Sequence, residues 1–121
     1  ALFQRRLKAA GHDITPVQFS ALQTLADHTG LDQSSLASLI AYDPATIGGV
    51  VKRLEQKGLI RRQPNEKDRR AFILCLTASG KSLLDDISPI VSALQADILS
   101  NLTGGEKVDF VNLLKKALHS D

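Results

Sequence analysis

The side chains able to do chemistry gather in the middle of the chain, and their types suit a polyanion rather than a small substrate. In "ATIGGVVKRLEQKGL", residues 45–59, small residues precede Lys52 and Arg53; in "NEKDRR", residues 65–70, Lys67, Arg69 and Arg70 surround Asp68. Lysine and arginine neutralise phosphates, a hydroxyl such as that of Thr46 bonds a base edge or a phosphate, and an alanine such as Ala45 can touch a thymine methyl. The charge distribution points the same way. Residues 44–81 hold 9 basic and 3 acidic side chains, a surplus of +6, whereas residues 1–43 and 82–121 carry −1 and −3. The overall +2 therefore conceals one strongly basic third. Such a third reads either as a polyanion-binding face or as a solvated charged surface.

Other chemistries lack their residues. The single cysteine, Cys75, excludes an internal disulfide and a cysteine metal cluster. There is no phosphate loop, no His/Cys ligand spacing and no nucleophile with an adjacent base, so no catalytic, metal or cofactor site is expected. With 121 residues and 43% hydrophobic content, the chain has the makings of one folded domain. No apolar run approaches the roughly 18 residues of a membrane span. The start, "ALFQRRLKAAG", is too polar for a secretory signal. A soluble cytoplasmic protein without a membrane partner is expected, and the lack of an initiating methionine suggests that residues precede Ala1.

Helix punctuation supplies the frame for the basic segment. In "TPVQFSALQTLADHTG", Thr15 is the N-cap, Pro16 the first helical residue and Gln18 the partner in a capping box, and Gly30 ends the helix. Asp32 caps a short helix that turns Leu36, Leu39 and Ile40 inward. Asp43 caps a third helix, with Pro44 at its first position and Gly58 as a left-handed stop. The pair makes a helix-turn-helix candidate. "LIRRQ" (59–63) and "RAFILCL" (70–76) flank the polar turn "PNEKD" and predict a hairpin with a charged tip. Thr77 then caps a long helix in which Pro89 should introduce a kink. Thr103 and Glu106 form a second capping box before a last helix, 106–119, and Gly11 stops a helix occupying the first eleven residues. The fold is thus mainly α with a small β-hairpin.

On a helical wheel starting at Ile47, Val50, Val51 and Leu54 lie within about 60° and face the core. Ala45, Gly49, Lys52 and Gln56 fall opposite, flanked by Thr46 and Arg53. A helix enters the roughly 12 Å major groove only where little bulk separates it from the bases, and Ala45 and Gly49 remove that bulk. Gly48, nearer the apolar face, more plainly eases packing against another helix. Gln33, Ser34 and Ser35 at the preceding helix start offer hydroxyls and free backbone N–H groups to phosphate, or serve simply as capping residues. In the hairpin tip Asp68 can orient a neighbouring arginine, and an arginine so held suits a narrow minor groove.

These residues resemble the MarR family of winged-helix transcriptional regulators. The likeness covers residues 15–80, including "RLEQKGLI", the "DRR" hairpin tip and "LTASG". It implies a winged helix-turn-helix lobe over 15–76, with dimerisation helices at 1–11 and within 77–121. It also implies a homodimer that reads successive major grooves of a pseudopalindromic DNA operator. By resemblance Asp68 and Arg70 form the wing pair, Arg70 enters the minor groove and Arg69 contacts phosphate; Pro44, at the first position of the third helix, is expected among the DNA-binding residues. Independently, the apolar stripes of the terminal helices exceed what a lone winged helix covers. Leu2, Phe3, Leu94, Ile98, Leu102, Val111, Leu114 and Leu118 are therefore expected at a dimer interface, the alternative being packing within one subunit.

The resemblance further implies repression relieved by a small phenolic or aromatic carboxylic acid. Arg5, Arg6 or His12 would pair with its carboxylate, and Phe19 or Leu22 would line its cavity; a surface histidine at a helix end is the simpler reading of His12. Two other functions compete: redox sensing through Cys75, which sits in an apolar strand without an adjacent base, and a winged helix that binds protein instead of DNA.

Overall fold

Short-range hydrogen bonds start and stop the helices close to where the sequence punctuates them. The computed structural model describes residues 2–100, 103–106, 108, 109, 112 and 113. Leu102, Val111, Leu114 and Leu118 lie outside the described residues, as do the side chains of Leu2, Arg69 and Ile98 and most of the expected helix 106–119. The elements are α1 (Leu2–Ala9), α2 (Pro16–Asp27), α3 (Gln33–Leu39), α4 (Pro44–Gln56), β1 (Ile60–Asn65), β2 (Asp68–Leu76) and α5 (Ala78–Ser100).

At α2 the Gln18 amide donates to Thr15 Oγ1 and the Thr15 amide donates to Gln18 Oε1, both at 3.2 Å. The Asp32 carboxylate accepts from the Ser35 amide at 2.7 Å. Asp43 accepts from the Thr46 amide at 2.9 Å and from the Thr46 hydroxyl at 2.6 Å. The same reciprocal box joins Thr103 and Glu106.

The Thr46 hydroxyl, and after it the Thr46 amide, hold the Asp43 carboxyl below the ordinary aspartate range. A carboxyl depressed by folding stabilises the fold above its unfolded pKa of about 3.9, and that contribution fades as pH falls through the lower folded value. Asp43→Ala should therefore lower the melting temperature at neutral pH by several degrees, and by less at about pH 2.5. Melting curves at the two pH values check this; an equal difference at both would remove the charge from the explanation.

The exit of α4 is a left-handed turn at Gly58, φ +73°. The Leu59 amide bonds Leu54 O at 3.0 Å and the Gly58 amide bonds Glu55 O at 2.9 Å, which satisfies carbonyls that the helix end leaves open. The exit of α3 repeats the pattern without a glycine. Ala41 holds φ 59°, with Tyr42 N–H on Ala37 O and Ala41 N–H on Ser38 O. An alanine there costs on the order of 1 kcal/mol, so no glycine marks this turn in the sequence; residues 40–43 separate the two helices.

β1 and β2 pair antiparallel, with Ile60 opposite Leu76 and Asn65 opposite Asp68 and an irregularity at Pro64/Asn65. The strands run closer to the tip than expected, leaving only Glu66 and Lys67 between them. Leu74 N–H also bonds Leu31 O at 2.8 Å, tying the hairpin to the loop before α3. α5 continues through Pro89 as one helix. The core collects Leu7 from α1, Leu22, Leu36, Ile47, Val51 and Leu54 from the three helices of the lobe, and Ile87 from α5, all essentially inaccessible. It fixes α4 with one face inward and the other in water.

Candidate nucleic-acid interface

Helix α4 divides as its wheel requires. Ile47, Val51 and Leu54 are fully buried, while Pro44, Ala45, Thr46, Gly49, Lys52 and Arg53 are exposed. A Cβ built on Gly49 would meet nothing within 4 Å, so that position faces open space. A Cβ on Gly48 would lie 3.2 Å from Gln33 Nε2, so this glycine accommodates α3. The two glycines therefore have separate causes.

Two capping carboxylates alter what the helix starts can offer. The Ser35 amide is taken by Asp32, whose carboxyl it holds below the ordinary range together with the Ser35 side chain. The expectation of a free N–H at Ser35 is corrected accordingly, while Ser34 and Ser35 keep exposed side chains. Gln33 is half-buried against Gly48, which corrects its reading as a freely presented phosphate ligand. Thr46 gives its hydroxyl proton to Asp43. Its oxygen is left as an acceptor, suited to the amino group of adenine or cytosine.

The hairpin tip is built by two side chain to backbone bonds. Lys67 N–H donates to Asn65 Oδ1 at 2.9 Å and Arg70 N–H to Asp68 Oδ1 at 3.0 Å. Asp68 thus orients the backbone of Arg70 more than its guanidinium, whose Nε stands 4.0 Å away. The Arg70 side chain is 97% exposed and free to extend into a groove. Lys67 is exposed beside it.

Two cations of the basic third are engaged within the chain, one exposed and one half-buried. Arg62 Nε binds Glu55 Oε1 at 2.8 Å, joining β1 to the end of α4. Lys57 Nζ turns inward, donating to Asp13 O at 2.5 Å and to Gln18 Oε1 at 3.3 Å. Nothing local in the sequence distinguishes these two from Lys52 and Arg53.

Behind the lobe, Phe3, Pro16, Phe19, Ser20, Val91, Leu94 and Gln95 line a cavity of about 380 Å³. The rings of Phe3 and Phe19 stand 6.0 Å apart and tilted by 57°. Leu22, expected in this lining, is instead fully buried in the core, one helical turn from Phe19 but on the inner face of α2. Leu94, expected at a dimer interface, is 4% exposed within the single chain, so intramolecular packing already covers it. Phe3 is likewise half-buried against the core. Arg6 reaches Asp97 across α1 and α5 at 3.3 Å. Arg5 is exposed and His12 half-buried in the α1–α2 loop, and none of Arg5, Arg6 and His12 lines the cavity. A larger, more polar cleft of about 550 Å³ opens between α2, the hairpin and α5. Cys75 lies at its edge with its thiol donating to Gln63 Oε1 at 3.5 Å. Among the described residues no His, Cys, Asp and Glu side chains are grouped to hold a metal, and no helix is long and apolar enough to cross a membrane.

Comparison with known proteins follows the same outline. The sequence pattern of the MarR family matches residues 14–72. The chain is 37% identical over 121 residues to the HTH-type transcriptional repressor NicR of Pseudomonas putida, covering 100% of this chain and 75% of the relative. The structure of Bordetella bronchiseptica BpsR, whose DNA binding is regulated by 6-hydroxynicotinic acid, superposes with a TM-score of 0.86 at 28% identity, covering 99% of this chain and 84% of that one. MepR of S. aureus in complex with DNA gives 0.82 at 27% identity, covering 99% and 90%.

Proposed function

Since the chain belongs to the MarR family of DNA-binding transcriptional regulators, we propose that it is a homodimeric repressor released from a pseudopalindromic operator by a small aromatic or phenolic acid. The observation that carries the DNA half is the exposed face of α4, small at Ala45 and Gly49 and cationic at Lys52 and Arg53, beside an outstretched Arg70. Two such helices about 34 Å apart would enter successive major grooves. Lys52, Arg53 and Lys67 would hold phosphates, Thr46 would accept from a base, and Arg70 would enter the minor groove.

The effector half is supported by the cavity between Phe3, Phe19 and Leu94, whose volume falls within the ~300–1,000 Å³ of small-molecule sites. Its aromatic pair suits a flat ring. Arg6, on the same helix as Phe3 and paired with Asp97 of α5, would have to exchange that partner for the acid's carboxylate. A ligand that prefers one spacing of the recognition helices shifts the population away from the operator-compatible state.

A duplex selected from a randomised pool provides the test, with binding followed by fluorescence anisotropy. Arg70→Ala should weaken binding about 10- to 100-fold, and 6-hydroxynicotinic acid should displace the unaltered protein. Equal affinity of the Arg70→Ala variant at matched salt would overturn the wing assignment. Binding unmoved by this acid, and by simple hydroxybenzoic acids, would overturn the effector assignment.

A further inference from the structure

The last turn of the recognition helix is held from two sides, and one attachment is a lysine that bonds the α1–α2 loop and the cap of α2. Lys57, half-buried at the C-cap of α4, donates to the carbonyl of Asp13 at 2.5 Å and to Gln18 Oε1 at 3.3 Å. Gln18 is the buried polar residue of the described core, 8% exposed. The same Oε1 atom accepts from the Thr15 amide and completes the cap of α2. A single oxygen therefore serves both the start of α2 and the end of α4. On the outer side Glu55 takes Arg62 of β1.

The cap of α2 is also the lip of the apolar cavity, because Pro16 and Phe19 flank Gln18 and line it. Displacement of this lip is transmitted to α4 through Lys57 unless the clasp breaks. At 1.5 Å per residue Thr46 lies roughly 16 Å along the helix from Lys57, so a tilt of about 5° at the clasp moves the reading end by about 1.4 Å. That is enough to spoil a hydrogen bond to a base edge.

We infer that Lys57 is a positioning residue for DNA reading. It fixes the pitch of α4 against the cap of α2 and so couples the recognition helix to the cavity wall. A lysine that held a phosphate would present its ammonium to solvent; this one presents it to a backbone carbonyl and a buried amide. The positioning role rests on DNA binding alone. Only the coupling to the cavity rests on the effector reading.

A double-mutant cycle on the full chain tests it, using Lys57→Met and Gln18→Met, which keep length and apolar bulk but remove donor and acceptor. Lys57→Met should weaken binding to the selected duplex about 5- to 10-fold, with an unchanged slope of log K against log salt. Gln18→Met should weaken it comparably. The double variant should lose less than the sum of the two singles, because both remove the Lys57–Gln18 bond, while the bonds to Asp13 O and from Thr15 N–H are each removed by one variant only. Lys57→Arg, which keeps a long donor, should recover most of the affinity. Circular dichroism and sedimentation confirm that each variant is folded and in the same oligomeric state as the unaltered protein.

Additive losses, or no loss at Lys57→Met, would overturn the clasp. A salt slope reduced by about one would make Lys57 a phosphate contact instead. Where 6-hydroxynicotinic acid displaces the unaltered protein, Lys57→Met should shrink that displacement at least threefold, and an undiminished displacement would overturn the coupling. An unaltered protein indifferent to the acid would count against the effector reading and this coupling, while the cycle still decides the positioning role.

Discussion

Gly49→Leu is expected to yield a protein that melts higher than the unaltered one and binds its operator at least about 100-fold more weakly. The two effects have opposite signs because they come from different surfaces. A glycine inside a helix costs roughly 0.8–1 kcal/mol relative to a good helix former. A Cβ at Gly49 would meet nothing within 4 Å, so the folded chain has room for a side chain. The same open space is what the major groove would fill. A leucine there would separate Ala45, Thr46 and Lys52 from the bases, and a 100-fold loss corresponds to about 2.7 kcal/mol. Anisotropy with the selected duplex and a melting curve on the same sample check both halves. Normal binding would mean that this face of α4 does not approach DNA. Gly48→Ala is the control: the added carbon presses only on the flexible end of Gln33 and should leave operator binding nearly unchanged.

Gly80→Ala should have the largest effect on stability. Gly80 sits in the first turn of α5, buried, and its added Cβ would overlap the carbonyl oxygen of Leu59 and crowd Leu59 C and Leu76 Cδ2. That carbonyl already accepts from the Thr77 amide at 3.0 Å, while the Thr77 hydroxyl donates to Gly58 O at 2.6 Å and accepts from the Gly80 amide at 3.1 Å. The exit of α4, the end of β2 and the start of α5 are therefore fastened at one point. Backbone cannot yield as a side-chain tip can. Overpacking of about 3 kcal/mol, less the roughly 1 kcal/mol gained in helix propensity, leaves a net loss of about 2 kcal/mol. For a chain of this length the melting temperature should fall by roughly 10 °C. A variant melting at or above the unaltered protein would show that α5 stands farther from the hairpin.

Gly80 was visible in the sequence only as part of "LTASG", where it looks like an unfavourable helical residue without a purpose. The reason lies at Leu59, about twenty positions earlier, and no local pattern reports it. The caps at Thr15, Asp32 and Asp43 were legible because each bonds a group three residues away. The exposed face of α4 was legible too, since helical geometry alone separates Ala45 and Gly49 from Ile47 and Val51.

The positions that sequence reading placed wrongly share a physical origin. Leu22 and Leu94 are both apolar and helical, yet Leu22 sinks into the core while Leu94 lines the cavity beneath α1. Lys52 and Lys57 are equally basic, yet one faces solvent and the other meets Asp13 O and Gln18. By itself the sequence determined where helices α2, α3 and α4 begin, which face of α4 is small and cationic, and that a charged hairpin follows. Those properties depend on bonds and angles between near neighbours. Tertiary structure decided which cations stay unengaged at the surface, which leucine lines the cavity, and which glycine must stay bare, because each depends on what a distant segment packs against that side chain.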